Sequence, residues 1–143
     1  DMAKMFRDAD KFNQNINDWD VSSVESMQRM FGNADKFDQD ISGWDVSSVE
    51  NMKAMFERSS FNQDIGSWDV RNVTNMTQMF DNANLTSTNY DNILIGWEAQ
   101  MVKSGVTLGA DGIQFDSNSA ESARDNLINN KSWTINDDGD STP

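Results

Sequence analysis

The triplet Trp-Asp-Val occurs at Trp19, Trp44 and Trp68, 25 and then 24 residues apart. Phe12, Phe37 and Phe61 keep the same spacing, as do Ile16, Ile41 and Ile65. Met-Phe pairs recur at Met5, Met30, Met55 and Met79, with further methionines at Met2, Met27, Met52 and Met76. Such a period restricts the chain to arrays in which one small unit is stacked on the next, because a unit this short cannot bury its own apolar face. The expected fold is an α/β, leucine-rich-repeat-like solenoid. The residue missing from the third unit falls just before Phe61, which marks a turn.

Two local patterns alternate within a unit. Val24, Met27, Met30 and Phe31 lie at i, i+3, i+6 and i+7, the spacing of one helical face, and the next two units repeat it. Ser22 with Glu25, and Ser47 with Glu50, match a capping box, and Gly32-Asn33 suits a helix end. In the third unit Arg71 and Thr74 stand at the cap positions and weaken the signal. Residues 12–16, 37–41 and 61–65 are predicted strands, with Phe and Ile on one face and Gln14, Gln39 and Gln63 forming a ladder. Each turn is thus expected to hold one short strand and one short helix.

The period fades at Leu85. Residues 90–102 predict a longer helix with Thr88 or Asn89 at its start, and residues 119–130 a second one. Strands are expected at residues 106–108, 113–115 and 133–135. This divides the chain into repeats over residues 1–84 (the first truncated), an irregular α/β cap over 85–135, and a linker over 136–143. The opening residues read as the tail of a unit, so the chain is expected to be a fragment of a longer polypeptide, and any export signal would lie upstream.

Only 36% of the residues are hydrophobic and the formal net charge is −13. That charge argues against nucleic-acid backbones and anionic lipid, both of which need clustered Lys and Arg. With no Cys and no His, disulfides, the commonest transition-metal ligand and the commonest general base are all missing. No apolar run has the length of a membrane span. Phosphate-loop and nucleophile-elbow motifs are absent, and close acidic pairs such as Asp38 and Asp40 are expected by chance among 24 acids, so no enzyme activity is expected.

The segment Phe61-Asn62-Gln63-Asp64-Ile65, then Trp68-Asp69-Val70, Val73-Thr74-Asn75-Met76 and Met79-Phe80, resembles the BspA-like bacterial surface-protein repeat. Asn89-Tyr90-Asp91, Leu94-Ile95-Gly96-Trp97, Gly105-Val106-Thr107 and Trp133-Thr134-Ile135 resemble the segment that closes such arrays. The resemblance implies a secreted or cell-surface location and a role in adhesion or partner binding. It brings no catalytic motif and no defined ligand.

The expected function is therefore a non-catalytic extracellular adhesion or ligand-binding module of a larger protein, with a protein or glycan on another surface as partner and the fragment monomeric. The alternative is a structural spacer, stiffened by calcium. Candidate metal ligands are Asp20, Asp45 and Asp69, which stacked turns would place in a row. Their other reading, and the stronger, is acceptance of backbone N–H groups in the turn before each predicted helix. No other cofactor is implied. The predicted core comprises Trp19, Trp44, Trp68, Phe31, Phe56, Phe80, Met27, Met52, Met76, Ile16, Ile41 and Ile65. Positions that differ between units, such as Gln28, Lys53 and Thr77, Arg29, Ala54 and Gln78, or Asp18, Gly43 and Ser67, are expected on the surface.

Overall fold

The computed structural model describes residues 1–141. In the repeats the methionine segments form neither helix nor continuous strand. They are runs of tight turns. Met30 N–H donates to the Met27 carbonyl at 3.1 Å, Gly32 to Arg29 at 3.2 Å and Ala34 to Phe31 at 3.1 Å. Arg29 and Asn33, third residues of two of these turns, have φ of 54° and 57°. Ala54 and Arg58 (54° and 53°) and Gln78 and Asn82 (60° and 55°) repeat the geometry. A positive φ at the third position is the requirement of a type II turn, and it forbids a right-handed helix there. The helix predicted over residues 24–31 and its equivalents is thus corrected to a string of turns.

The remaining N–H groups leave the unit. Met27, Arg29, Phe31 and Asn33 donate to the carbonyls of Asn51, Lys53, Met55 and Glu57 in the next copy, at 2.8–2.9 Å. Met52, Ala54, Phe56 and Arg58 donate likewise to Asn75, Thr77, Met79 and Asp81. Alternate amides therefore close turns and cross between copies, which satisfies a backbone that has no helix to satisfy it. Isolated parallel bridges mark the same seam at Ser26–Asn51, Asn51–Asn75 and Met76–Leu108.

The predicted strands at residues 12–16, 37–41 and 61–65 are also corrected: no strand forms there. Their copy-to-copy contacts run through side chains. Asn13 Oδ1 accepts the Asp38 N–H at 3.0 Å and the Gln39 amide at 2.9 Å. Asp38 Oδ1 does the same for Asn62 and Gln63. Asn62 does so for Thr86 and Asn89. The expected glutamine ladder is instead a ladder from Asn or Asp to the Gln or Asn of the next unit.

Phenylalanines fill the interior as two parallel stacks. Phe6, Phe31, Phe56 and Phe80 follow one another at 5.6, 5.7 and 5.8 Å between ring centroids. Phe12, Phe37 and Phe61 form the second stack, and Phe31–Phe37 and Phe56–Phe61 join the two at 3.8 and 3.9 Å. Each fully buried Phe contributes on the order of 1.5–3 kcal/mol of transfer free energy.

After the repeats come α1 (Ser87–Glu98), β1 (Thr107–Ala110), α2 (Asn118–Lys131) and β2 (Thr134–Asp137). Thr86 Oγ1 caps α1 and Ser117 Oγ caps α2. α1 starts earlier than predicted, where Thr86 is already held by Asn62, and ends earlier, before Gln100 bonds to Trp68 and Val70. β1 and β2 pair in parallel, Thr107 opposite Thr134 through Ala110 opposite Asp137. The strand predicted at residues 113–115 survives only as the bridge between Phe115 and Asp140. The predicted linker is corrected as well. Asn136 and Asp137 belong to β2, Asp138 N–H donates to the Ile113 carbonyl, and Ser141 N–H donates to the Phe115 carbonyl. Residues 142 and 143 lie outside the described residues.

The copy-to-copy register also continues past Leu85, where the sequence period fades. Trp44, Trp68 and Trp97 each donate an indole N–H to an Ile carbonyl one unit earlier: Ile16, Ile41 and Ile65, at 3.0, 3.0 and 3.2 Å. α1 therefore sits where a further turn would sit. Its close approach needs Gly96 against Gly66, since a Cβ on Gly96 would lie 2.2 Å from the Gly66 carbonyl oxygen.

Candidate functional site

Asp20, Asp45 and Asp69 each open a tight turn by accepting hydrogen bonds two residues on. Asp20 Oδ1 accepts Ser22 N–H at 3.1 Å and Ser22 Oγ–H at 2.6 Å, and Asp45 repeats this with Ser47. These hydroxyl and amide donors hold both carboxyls below the usual carboxylate range. Neighbouring aspartates of the row repel weakly across the copies. Among the described residues no three acidic side chains converge as a ligand set for a metal ion. The turn reading describes what these oxygens do.

The third unit departs from this pattern. Arg71 replaces the serine, and Asp69 accepts its Nε at 2.9 Å and its Nη2 at 2.6 Å, together with its backbone N–H at 3.2 Å. The guanidinium, chiefly through its side-chain hydrogen bonds, holds the Asp69 carboxyl low. Arg71 Nη1 has no partner among the described residues.

Gln100 ties this turn to the end of α1. Its Oε1 accepts the Val70 N–H at 3.0 Å, and its Nε2 donates to the Trp68 carbonyl at 2.8 Å and to the Gly96 carbonyl at 3.2 Å. The chain leaving α1 is thereby laid beside Arg71. Met101 follows with 85% of its surface exposed, the highest value among the large apolar side chains of the described residues. Two adjoining shallow clefts, about 450 and 680 Å³, share Asp69, Arg71 and Met101. Ser47, Ser48, Asn72 and Lys103 extend the second.

The structure separates the predicted core residues. Trp44, Trp68, Phe31, Phe56, Phe80, Met27, Met52, Met76, Ile16, Ile41 and Ile65 are all buried. Trp19 is corrected: it is 39% exposed, because no Ile carbonyl in residues 1–18 accepts its indole N–H as Ile16, Ile41 and Ile65 do for Trp44, Trp68 and Trp97. Among the variable positions, Asp18, Gly43 and Ser67 are exposed, Gln28, Lys53 and Thr77 are half-buried, and Ala54 is fully buried. Met101 and Lys103 were not singled out from the sequence. The available signal was Arg71, the one break in the Asp-x-Ser turn, together with an apolar residue just past a helix end.

A second polar cluster lies between α1, α2 and β2. Asp137 Oδ2 accepts Tyr90 Oη–H at 2.8 Å, and the carboxylate takes Arg124 through Nε and Nη2. The Asp137 side chain is fully buried. Burial first, then the Asp137 charge, raises the Tyr90 phenol well above its ordinary value. These groups face one another and join the elements, while Arg124 keeps 22% of its side-chain surface exposed.

No helix of the described residues is long and apolar enough to cross a membrane. No curated protein and no solved structure matches the chain. A family model described as "Mycoplasma protein of unknown function, DUF285" matches residues 1–97, and the chain belongs to that family.

Proposed function

We propose that the chain is a non-catalytic, solenoid-type binding module of the BspA-like kind, carried on a cell surface or secreted, and that it holds a protein or glycan partner at the cleft beside Arg71 and Met101. The observation that carries this reading is Met101, an almost fully exposed apolar side chain lining one cleft with the Asp69–Arg71 ion pair and Lys103. An apolar group surrounded by polar ones is the composition of an interaction surface. The surrounding backbone is hydrogen-bonded on both sides, so the cleft is held ready and binding spends little on ordering it.

The test is an array of peptides and glycans probed with this chain and with Met101→Ser. A ligand retained by the first and lost by the second supports the reading. Retention by both places binding elsewhere.

A spacer is the second reading. In its favour, every unit is joined to the next by backbone bonds, side-chain ladders and stacked rings together. Calcium stiffening belongs to this reading. Bound calcium raises the melting midpoint by mass action, so an unchanged midpoint in chelator rejects it.

A further inference from the structure

The cleft named above has a charge of its own that differs from the chain's. The molecule carries −13 overall. The charged side chains that line the cleft are Asp69, Arg71 and Lys103, one acid against two bases, with Asp45 behind them and held by Ser47. Asp69 is already spent on Arg71. That leaves Arg71 Nη1 and Lys103 Nζ as donors without partners among the described residues. Met101 lines the same depression and is exposed.

We infer that this cleft docks an acidic peptide segment, with a carboxylate on Arg71 and Lys103 and an aliphatic side chain over Met101. The inference rests on the binding-module reading and names the partner's chemistry. Charge complementarity selects it. Asp69 aligns the guanidinium edge-on, which leaves its other edge for a planar carboxylate, the group an arginine fork fits best. An aliphatic neighbour covers the Met101 thioether and dries the site, which strengthens the ionic contact. A neutral sugar would give neither cation a counter-charge, and a basic peptide would be repelled by both.

Arg71 also supplies a variant that keeps the fold. Arg71→Ser restores the residue that occupies this turn as Ser22 and Ser47, where serine bonds the preceding aspartate in the same way. Lys103→Gln and Met101→Ser change exposed side chains.

The experiment titrates the whole chain with a short blocked peptide of alternating glutamate and leucine. It follows the Met101 methyl resonance and the Arg71 Nε resonance by NMR. Saturable shifts at both are expected, with binding about tenfold weaker in Arg71→Ser and again in Lys103→Gln, the effect of losing one charge-assisted contact each. The matching lysine–leucine peptide and a neutral oligosaccharide are expected to leave both resonances in place. Equal binding of the lysine peptide, or shifts unchanged by Arg71→Ser, overturns the inference. If the acidic peptide is silent while Met101→Ser still abolishes capture on the array, the partner class is wrong and the binding-module reading stands. If Met101→Ser changes nothing in either assay, both fail.

Discussion

At the scale of single residues, the tryptophans hold adjacent copies in register. Trp68 is 1% exposed and spans the interior to reach the Ile41 carbonyl. Trp68→Phe keeps an aromatic ring but strands that carbonyl and leaves a gap. A loss of about 2–4 kcal/mol is expected, the sum of an unpaired buried acceptor and a small cavity, measured by urea unfolding. A loss under about 0.5 kcal/mol would mean that the hydrogen bond contributes nothing. The carboxylates divide by environment. Asp45 is held low by its Ser47 donors, so it favours folding above the ordinary carboxylate range and this is lost as pH falls through its folded pKa. Asp81 is opposite: burial first, then the nearby acids Asp111 and Glu57, raise it, although it accepts the Asp111 N–H. A group raised on folding favours the folded chain below its unfolded pKa, and that advantage is lost as pH rises through its folded pKa. Asp81→Asn keeps the acceptor oxygen and removes the charge. It should raise the melting midpoint at pH 7, with the gain fading as pH falls toward the ordinary carboxylate value and gone by about pH 3, where the carboxyl is neutral in both states. A gain of equal size at both pH values would rule out charge as the cause.

At the scale of elements, the apolar positions were legible and the backbone was not. Met27, Met30, Phe31 and Ala34 point inward as the spacing demands. A run of turns closed three residues apart gives nearly the same spacing as a helix, so periodicity could not tell them apart. The deciding facts lie between copies: alternate amides bond to the next unit, and a single unit's sequence contains no sign of a partner 24 residues away. The positive-φ positions offered a partial clue, since Asn33 and Asn82 tolerate that conformation whereas Arg58, at the same place, does not favour it. Arg58→Asn should therefore stabilise the chain by about 0.5–1 kcal/mol, seen as a higher urea midpoint at constant slope. A drop would indicate that the Arg58 stem packs usefully. The junction with α1 is tighter. Gly96→Ala drives a Cβ into backbone that cannot yield locally, and a loss of about 1–3 kcal/mol is expected. Of the candidate site, the sequence marked Arg71 as an irregular cap and the aspartates as turn formers. It could not place Met101, because Gln100 reaches Trp68 and Val70 across 30 residues or more.

At the scale of the whole molecule, the hydrogen bonds and ring pairs between repeats of the described residues join adjacent copies. Residues 1–25 meet the next copy through the Phe6–Phe31 and Phe12–Phe37 ring pairs, the bonds from Met2, Lys4, Phe6 and Asp8 to Ser26, Gln28, Met30 and Gly32, those from Glu50 and Asn51 to the Glu25 carbonyl, the Asn13 ladder, the Asn33–Asp8 and Ser48–Ser22 bonds and the Trp44–Ile16 bond. None of these reaches the second polar cluster or the two-stranded sheet. Stability in such an arrangement is close to a sum of unit and nearest-neighbour contributions. Removing residues 1–25 should then leave a shorter chain that still folds, with a lower urea midpoint and a smaller slope because less surface is exposed on unfolding. Trp44, 4% exposed with its neighbours in place, should take over the position that Trp19 now holds and become quenchable by acrylamide. The Asp137–Tyr90–Arg124 cluster should keep its resonances, since its contacts lie within residues 90–137. If the shortened chain instead loses all dispersion in its NMR spectrum, the units do not contribute separately, and the first turn is required for a single cooperative core that extends into α2 and β2.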